Sequence, residues 1–298
     1  MSDWDSNPLV TETIAPPSQP MVEQALAHQA QLTKPPGSLG MLEDLAVQFC
    51  GFQNRLDPQL EQVGVRVFAA DHGVAAAGVS AFPQAVTVEM IRNFASGGAA
   101  ISVLSRVQNA DFAVVNVGTA NPAPEGSGIV TRVLAPGTQN FCEAEAMTVE
   151  QMLAALAVGA EQVEALHSSG CQLFIGGEMG IGNTTTAAAL ACAMLQLPPE
   201  DVVGLGTGVD PQGWQLKVDL VTRGLELHGD TLRQTQPLAA LQCLGGLEIA
   251  ALTGAYLRAA QLGLPSLVDG FICSVAALLA VRINPACRAW LVFSHQSA

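Results

Sequence analysis

The chain has 298 residues, of which 49% are hydrophobic and only 13% are charged, and its formal net charge is −14. A chain of this length and composition can bury a large core. Its acidic charge excludes a nucleic-acid-binding protein, because phosphate backbones are bound by clustered Lys and Arg. Only two lysines occur, Lys34 and Lys217, so a lysine beside a proposed anion site is informative.

The seven cysteines are scattered and never form a CxxC pair, and the five histidines lack the spacing of metal ligands. Scattered cysteines in apolar segments are typical of buried thiols in a reducing compartment. Gly, Pro or polar residues interrupt every apolar run before it reaches the length of a membrane span, and the polar N-terminus is unlike a signal peptide. We therefore predict a cytoplasmic protein without a metal, a membrane partner or a nucleic-acid partner.

The first part of the chain predicts two helices after a loose lead-in. Residues 1–20 are rich in Pro, Ser and Asp, whereas residues 21–32 and 41–54 have helical patterns. Between the two helices, KPPGSLG (residues 34–40) has the prolines and the glycine of a stiff turn.

Two apolar runs predict strands over residues 63–70 and 112–117, the second after a helix over residues 97–107. The first strand ends at Asp71-His72-Gly73. Ligands of open α/β sheets bind at the carboxyl ends of strands, so Asp71 and His72 are candidate site residues. A single His-Gly pair after a strand is nevertheless more often part of a hydrogen-bonded loop.

Two further segments lead to the middle of the chain. Residues 120–140 form a long loop, and loops of this length are usually functional or mobile. A helix predicted over residues 148–167 follows this loop and delivers the chain to the next strand.

The segment CQLFIGGEMGIGNTTTAAALACAMLQL (residues 171–197) predicts a strand over residues 173–175, a glycine-rich turn and a helix capped by Asn183. Free amides and the helix dipole face the same point in such a turn and make an anion site. The spacing of Gly177 and Gly182 differs from the P-loop GxxxxGK[ST] in that Asn183 replaces the lysine. A monophosphate held by backbone amides suits this turn better than a triphosphate, and the alternative is a turn that serves packing alone.

Glu178 favours a functional interpretation of this turn. A carboxylate next to bound phosphate is unfavourable unless it faces something else, such as a sugar hydroxyl or a proton in transit. The sequence therefore predicts a monophosphate site with an adjacent carboxylate.

A second glycine cluster, Gly206-Thr207-Gly208, precedes a helix that begins near residue 211 and carries Lys217. A helical lysine usually lies on the solvent face, but the scarcity of lysine weakens that interpretation here. A later helix over residues 244–262 carries Glu248 in its first turn, where the helix dipole alone explains a carboxylate. Short strands over residues 265–268 and 289–293 complete the pattern. Alternating strands and helices predict a parallel sheet flanked by helices.

GGEMGIGNTT (residues 176–185) resembles the signature of the nicotinate-nucleotide–dimethylbenzimidazole phosphoribosyltransferases, which make the lower-ligand nucleotide of cobalamin. Further similar motifs, spread over roughly residues 20–298, are LTKPPGSLGMLEDLA, ADHGV, GVSAFPQ, VTVEMIRNFASGGAAI, GTQNF, VDGFI and SHQS. GLGTG departs from the GRGTG that is more usual in that family and lacks its arginine.

The resemblance implies a Rossmann-like three-layer α/β fold with a small helical domain built from the chain termini. Residues 1–60 would form the lead-in and the helices of the small domain, and residues 61–298 the large nucleotide-binding domain. The implied reaction is an inverting transfer of the 5-phosphoribosyl group from nicotinate mononucleotide to 5,6-dimethylbenzimidazole, giving α-ribazole 5′-phosphate and nicotinate. The resemblance implies a homodimer and no cofactor.

The resemblance also implies roles for individual residues. Glu178 would be catalytic, and Ser80 and Gln84 would line the pocket of the azole base. The residues implied in binding the nucleotide and its phosphate are Gly176, Gly177, Gly180, Ile181, Gly182, Asn183, Thr184, Thr185, Gly206, Thr207, Gly208 and Lys217.

Family members continue past the SHxS motif with a stretch that carries a glutamate acting as general base, and no residue before Ala298 matches it. The sequence leaves open whether the printed chain is part of a longer protein or a shortened homologue. A second hypothesis is therefore a homologue that binds a nucleotide or an azole without turnover. A P-loop kinase is a third, which Asn183 disfavours because it stands in place of the nucleotide-binding lysine.

Overall fold

The computed structural model describes residue 4 and residues 6–204, 211–232 and 236–296. Within these residues the chain forms one parallel sheet of six strands in the order β3-β2-β1-β4-β5-β6. In chain order they are β1 (Val63–Ala70), β2 (Asp111–Gly118), β3 (Ile129–Thr131), β4 (Leu173–Met179), β5 (Ser266–Val268) and β6 (Leu291–Phe293). The strand order reverses between β1 and β4, and a crevice opens at the carboxyl edge of a sheet at such a point.

The helices of the described ranges flank this sheet. They are α1 (Pro8–Thr11), α2 (Gln19–Gln29), α3 (Met41–Gln53), α4 (Ala85–Ser96), α5 (Ala100–Val107), α6 (Val149–Ser168), α7 (Asn183–Leu195), α8 (Pro199–Val202), α9 (Pro211–Leu227), α10 (Gly229–Leu232), α11 (Pro237–Leu244), α12 (Leu247–Gln261) and α13 (Phe271–Ile283). Two short 3-10 segments are Gly73–Ala77 and Pro285–Trp290. The predicted parallel sheet with flanking helices is confirmed.

β4 is longer than its apolar run. The prediction that this strand ends at residue 175 is wrong, because parallel pairing with β1 continues to Met179. In this register Glu178 lies opposite Phe68 of β1. Glu178 therefore projects from the end of a strand, rather than from the glycine-rich turn in which the sequence placed it.

The start of α7 also differs from the prediction. Its N-cap is Gly182, whose φ of 98° lies in the left-handed region that glycine adopts without strain. Asn183 is the first helical residue, and its side chain is free to bond elsewhere. The predicted Asn183 cap is therefore wrong.

The predicted helices α2, α3, α5, α6, α9 and α12 are confirmed, with ends that differ from the predicted ones by up to three residues. Thr148 begins α6 with a capping box, in which its hydroxyl accepts from the Gln151 amide and the Gln151 side chain accepts from the Thr148 amide. The helices α4, α8, α10 and α11 had no predicted counterpart. Two further short elements lie in segments that were expected to be irregular. They are α1, in the lead-in, and β3, in the loop of residues 120–140.

The two faces of the sheet are covered by different helices. On one face α6 and α12 pack together over β1 and β4, where Phe68, Phe174 and Tyr256 are fully buried. On the other face α4 and α5 cover β1 and β2, and Ile91 packs with Val114. Burial of these apolar side chains is the main stabilising contribution.

Glycine allows α6 and α12 to approach closely. A Cβ placed on Gly159 of α6 would lie 1.7 Å from the carbonyl oxygen of Ala251, and one on Gly254 of α12 would lie 2.1 Å from that of Leu156. This crossing fixes α12 against the sheet, and with it the position of Glu248 in the first helical turn.

The N-terminal helices α2 and α3 pack against each other through Ala25, Val47 and Cys50. Phe52 of α3 stacks on Trp290, with ring centroids 5.4 Å apart, and joins these helices to the main core. The division of the chain at residue 60 stays a prediction. Within the described ranges, no helix has both the length and the apolar character needed to cross a membrane.

Candidate active site

The candidate site lies where the strand order reverses. β1 ends directly before Asp71 and His72, and β4 ends directly before the turn formed by residues 180–182. Because β1 and β4 are paired neighbours, these two strand ends meet at the same edge of the sheet. The sequence predicted ligand binding at this edge, and the fold brings the two motifs together there.

A cleft of about 260 Å³ opens at this edge. It is lined by Val79, Ser80, Glu178, Met179, Gly180, Ile181, Gly182, Asn183, Thr184, Lys217 and Ile272. The lining thus combines one carboxylate, one lysine and the glycine-rich turn with apolar side chains, the usual composition of a small-molecule site.

Glu178 is half-buried at the floor of the cleft, and the side-chain amide of Asn183 donates to its Oε2. Burial, together with the negative charge of Glu248, raises the pKa of the Glu178 carboxyl to about 7. The Asn183 amide and the charge of His72 oppose this rise. Glu178 therefore changes its protonation state near neutral pH.

The glycine-rich turn packs closely against its surroundings. A Cβ on Gly180 would lie 2.5 Å from the carbonyl oxygen of Ala70 and 3.0 Å from Nε2 of His72, so this position has no room for a side chain. The Ile181 amide donates to Thr87 Oγ1 at 3.3 Å. The Asn183 amide donates to the Gly180 carbonyl at 3.1 Å.

Fewer amides of the turn point to a ligand than the sequence suggested, because several donate within the protein. The amides of Gly182 and Thr184 make no backbone hydrogen bond to a described residue. These two groups, at the start of α7, are the donors that the turn offers to an anion.

Lys217 reaches the cleft from α9 and is only 2% exposed. Burial lowers the pKa of its ammonium group, because desolvation disfavours the charged form. The alternative that Lys217 lies on the solvent face of its helix is therefore wrong.

The two residues predicted for the azole pocket have different positions. Ser80 lines the cleft, and its Oγ accepts from the Phe82 amide at 3.1 Å. Gln84 lies beside the cleft, and its amide donates to the backbone carbonyl of His72 at 2.8 Å. The azole-binding roles of both residues stay predictions. The predicted glycine cluster Gly206-Thr207-Gly208 lies outside the described residues.

The site contains a buried pair that the sequence did not predict. His72 and Glu248 are both fully buried, and Nε2 of His72 lies 2.6 Å from Oε1 of Glu248. On the other side of the ring, Nδ1 lies 2.9 Å from Oγ1 of Thr186 in α7. Glu248 was assigned to the helix dipole alone. The sequence signal that could have identified it is the pair Gly245-Gly246, which only Leu247 separates from Glu248, since the close approach of another group requires glycine there.

The electrostatics of this pair favour a charged imidazole. Burial acts against the imidazolium, but the carboxylates of Glu248, Asp71 and Glu178 outweigh it and raise the pKa of His72. Burial raises the pKa of the Asp71 carboxyl, whose Oδ2 accepts a hydrogen bond from the Ala120 amide at 2.9 Å. Within the described ranges, no three His, Cys, Asp or Glu side chains are arranged to hold a metal ion.

A model of a protein family described as Phosphoribosyltransferase matches residues 14–298. The chain belongs to this family. The match extends from the N-terminal segment to the last residue of the printed sequence and so includes every element that forms the cleft.

Individual relatives agree with the family assignment. The chain is 55% identical to a protein of Pseudomonas putida over 277 residues, which are 93% of this chain and 78% of the relative. It is 53% identical to a protein of Xanthomonas oryzae over 292 residues, which are 98% of this chain and 83% of the relative. Both relatives are named nicotinate-nucleotide–dimethylbenzimidazole phosphoribosyltransferase.

The family fold is also known from a crystal structure. The nicotinate-nucleotide–dimethylbenzimidazole phosphoribosyltransferase of Thermus thermophilus has a TM-score of 0.86 and 41% identity to this chain, covering 93% of it and 82% of the Thermus chain. The family resemblance seen in GGEMGIGNTT is therefore confirmed, and a P-loop kinase is excluded.

Proposed function

We propose that this phosphoribosyltransferase transfers the 5-phosphoribosyl group of nicotinate mononucleotide to 5,6-dimethylbenzimidazole. The products are α-ribazole 5′-phosphate and nicotinate. Relatives with more than half of their aligned residues identical are named for this reaction, which favours turnover over the alternative of a binding-only homologue.

The observation that carries the proposal is the composition of the cleft. One lining brings together a lysine, two amides without a backbone hydrogen bond to a described residue, a carboxylate and an apolar wall, at the point of the sheet where nucleotides bind. We assign the phosphate to the turn of residues 180–185 together with Lys217. We assign the apolar side of the cleft, which includes Ser80, to the aromatic base.

The reaction needs little acid catalysis from the protein. Nicotinate leaves from a pyridinium that already carries a positive charge, so the leaving group needs no added proton. The change from a β- to an α-linkage requires attack from the opposite face of the ribose. Holding the ribose between the two rings therefore provides most of the rate enhancement through proximity and orientation.

The incoming azole has one proton to lose. As its free nitrogen bonds to C1′ of the ribose, the ring becomes cationic, and the proton on its other nitrogen must pass to a base. We assign Glu178 to the ribose or to accepting this proton. Its pKa of about 7 suits proton transfer near neutral pH, because the carboxylate is populated and is still basic enough to accept a proton.

The proposal is tested by the substitution Lys217→Ala, measured as release of nicotinate from nicotinate mononucleotide in the presence of dimethylbenzimidazole. Loss of a charged hydrogen bond to phosphate weakens binding by about 10- to 100-fold, so we expect KM for the nucleotide to rise by that factor. Lys34→Ala is the matched control, because Lys34 forms an ion pair with Glu43 on the N-terminal helices and is absent from the cleft lining. An unchanged KM in Lys217→Ala contradicts the phosphate assignment, and a wild-type chain that releases no nicotinate contradicts the reaction.

We further propose that the enzyme is a cytoplasmic homodimer. All seven cysteines are free thiols, as expected in a reducing compartment. Large apolar side chains are exposed on α3 (Met41, Leu42) and on α5 (Leu104, Val107), and patches of this kind favour association. Light scattering of the purified protein measures the mass of the assembly.

A further inference from the structure

The pair formed by His72 and Glu248 has no role in the reaction as assigned above. Both side chains are fully buried, so neither contacts a substrate. Removing a carboxylate and an imidazole from water is costly, and such a pair is rarely retained for stability alone. One oxygen of Glu248, Oε2, is buried and has no hydrogen-bond partner among the described residues, which adds to this cost.

The imidazole of His72 lies directly behind the glycine-rich turn. Its Nε2 is 3.0 Å from the place that a Cβ on Gly180 would occupy, and its Nδ1 contacts Thr186 in the first turns of α7. On the far side, a Cβ on Gly246 would lie 2.4 Å from its Cε1 and 2.7 Å from Oε2 of Glu248. The ring is thus held between the turn and the start of α12.

The two side chains of the pair lie at different distances from the glycine-rich turn. The imidazole is the member in contact with Gly180, and the carboxylate lies behind it at α12. A positive charge on the ring, next to this turn, adds to that of Lys217 in attracting an anion to the cleft.

We propose that Glu248 is a positioning residue of the transferase: by pairing with His72 it keeps the buried imidazole cationic, and the imidazolium holds the turn of residues 180–182 in the shape that binds the substrate phosphate. This inference rests on the proposed function, because it assumes that the phosphate of nicotinate mononucleotide occupies that turn. In this proposal Glu248 does more than interact favourably with the dipole of its own helix.

Among the described residues, the charged groups that face His72 are three carboxylates. Asp71 precedes it in the chain, Glu178 faces it from β4 and Glu248 faces it from α12. From α7 the described contact is the neutral hydroxyl of Thr186, and from the start of α4 it is the Gln84 amide, which binds the backbone carbonyl. Glu248 is the one carboxylate that bonds to the ring, so its charge has the largest effect on the ring proton.

The test is the substitution Glu248→Gln, which keeps an oxygen acceptor for Nε2 and removes only the charge. The control is Glu150→Gln, because Glu150 also lies in the first turn of a helix but is exposed and remote from the cleft. The affinity for nicotinate mononucleotide is measured by calorimetry between about pH 5.5 and 8, the range in which histidine titrates. The protonation of His72 is followed over the same range by NMR of ¹⁵N-labelled histidine, without substrate.

In wild type and in Glu150→Gln we expect His72 to stay protonated over this pH range. The ring then adds no pH dependence to the affinity for the nucleotide. In Glu248→Gln burial is no longer opposed by the bonded carboxylate, so the ring loses its proton at neutral pH and the affinity falls about tenfold at pH 7.5, with recovery at acidic pH. A purely structural role predicts no pH-dependent loss for this isosteric change.

Two outcomes overturn the inference while leaving the proposed function intact. One is a Glu248→Gln variant with wild-type affinity throughout the pH range, and the other is a His72 ring that titrates identically in both proteins. If the wild-type chain binds no nicotinate mononucleotide, the proposed function fails and the phosphate role fails with it. The NMR titration still decides whether Glu248 keeps His72 charged.

Discussion

The substitution Glu178→Gln is expected to stabilise the protein while impairing its reaction. A carboxyl group whose pKa is raised from 4.5 to about 7 on folding binds its proton more tightly in the folded state than in the unfolded state. The free energy of unfolding therefore falls as the pH rises through this interval, and the full penalty is present above about pH 7. Glutamine has no such penalty.

The magnitude follows from the pKa shift. A shift from 4.5 to about 7 corresponds to an upper limit of about 3 kcal/mol. Since Glu178 is half-buried and keeps its bond from Asn183, solvent screening and the loss of that charged bond reduce the gain to about 1–2 kcal/mol. At about pH 5 the gain falls to roughly a quarter of this value, and it vanishes below the unfolded pKa of 4.5, where the carboxyl is protonated in both states.

The assay is thermal unfolding of the substrate-free protein at about pH 5 and pH 8, where a gain of this size raises Tm by about 2–4 °C at the higher pH and by much less at the lower. Glu150→Gln is the control for loss of one negative charge from an acidic protein. Turnover of the Glu178→Gln variant should fall by at least about a hundredfold, because it lacks the proton acceptor. A variant that is destabilised equally at both pH values would refute the reasoning, since the carboxyl would then be a structural hydrogen-bonding group.

Two further predictions concern backbone features of the same fold. Gly180→Ala should abolish nucleotide binding, because the added methyl group would meet the Ala70 carbonyl at 2.5 Å and the ring of His72; retention of calorimetric binding would show that the turn can shift. Thr148→Ala should lower the free energy of unfolding by about 1 kcal/mol, through loss of the capping box of α6, without changing KM for the nucleotide. Urea unfolding measures the second effect, and a changed KM would contradict it.

The sequence predicted the elements whose signals are local. The apolar runs of β1 and β2, and the helical patterns of α6 and α12, contain enough information in adjacent residues to define them. The glycines after residue 175 appeared to end β4, because glycine is poor in isolated strands. Pairing with β1 extends the strand in the fold, so the true end depends on a neighbour that is distant in the chain.

For the site too, the sequence predicted the residues that have a local signal and missed those that do not. The glycine-rich turn and Lys217 carry a pattern or a rarity that the sequence displays, and both line the cleft. Glu248 has a sufficient local explanation as a first-turn carboxylate. The nearby pair Gly245-Gly246 signals that some group approaches closely, but it does not reveal that this group is His72. His72 itself is indistinguishable in sequence from a loop histidine. Only the crossing of α6 and α12, which fixes where α12 begins, shows that the two residues meet.

The contact between His72 and Glu248 spans 176 positions of the chain, and that between His72 and Thr186 spans 114. Contacts of such separation form late, because a long loop must close before they contribute any stability. The pair behind the turn thus has no local precursor that could assemble ahead of the rest of the molecule. A fragment without β1 or without α12 lacks the pair behind the turn, so acquisition of nucleotide binding during refolding marks the completion of the whole fold.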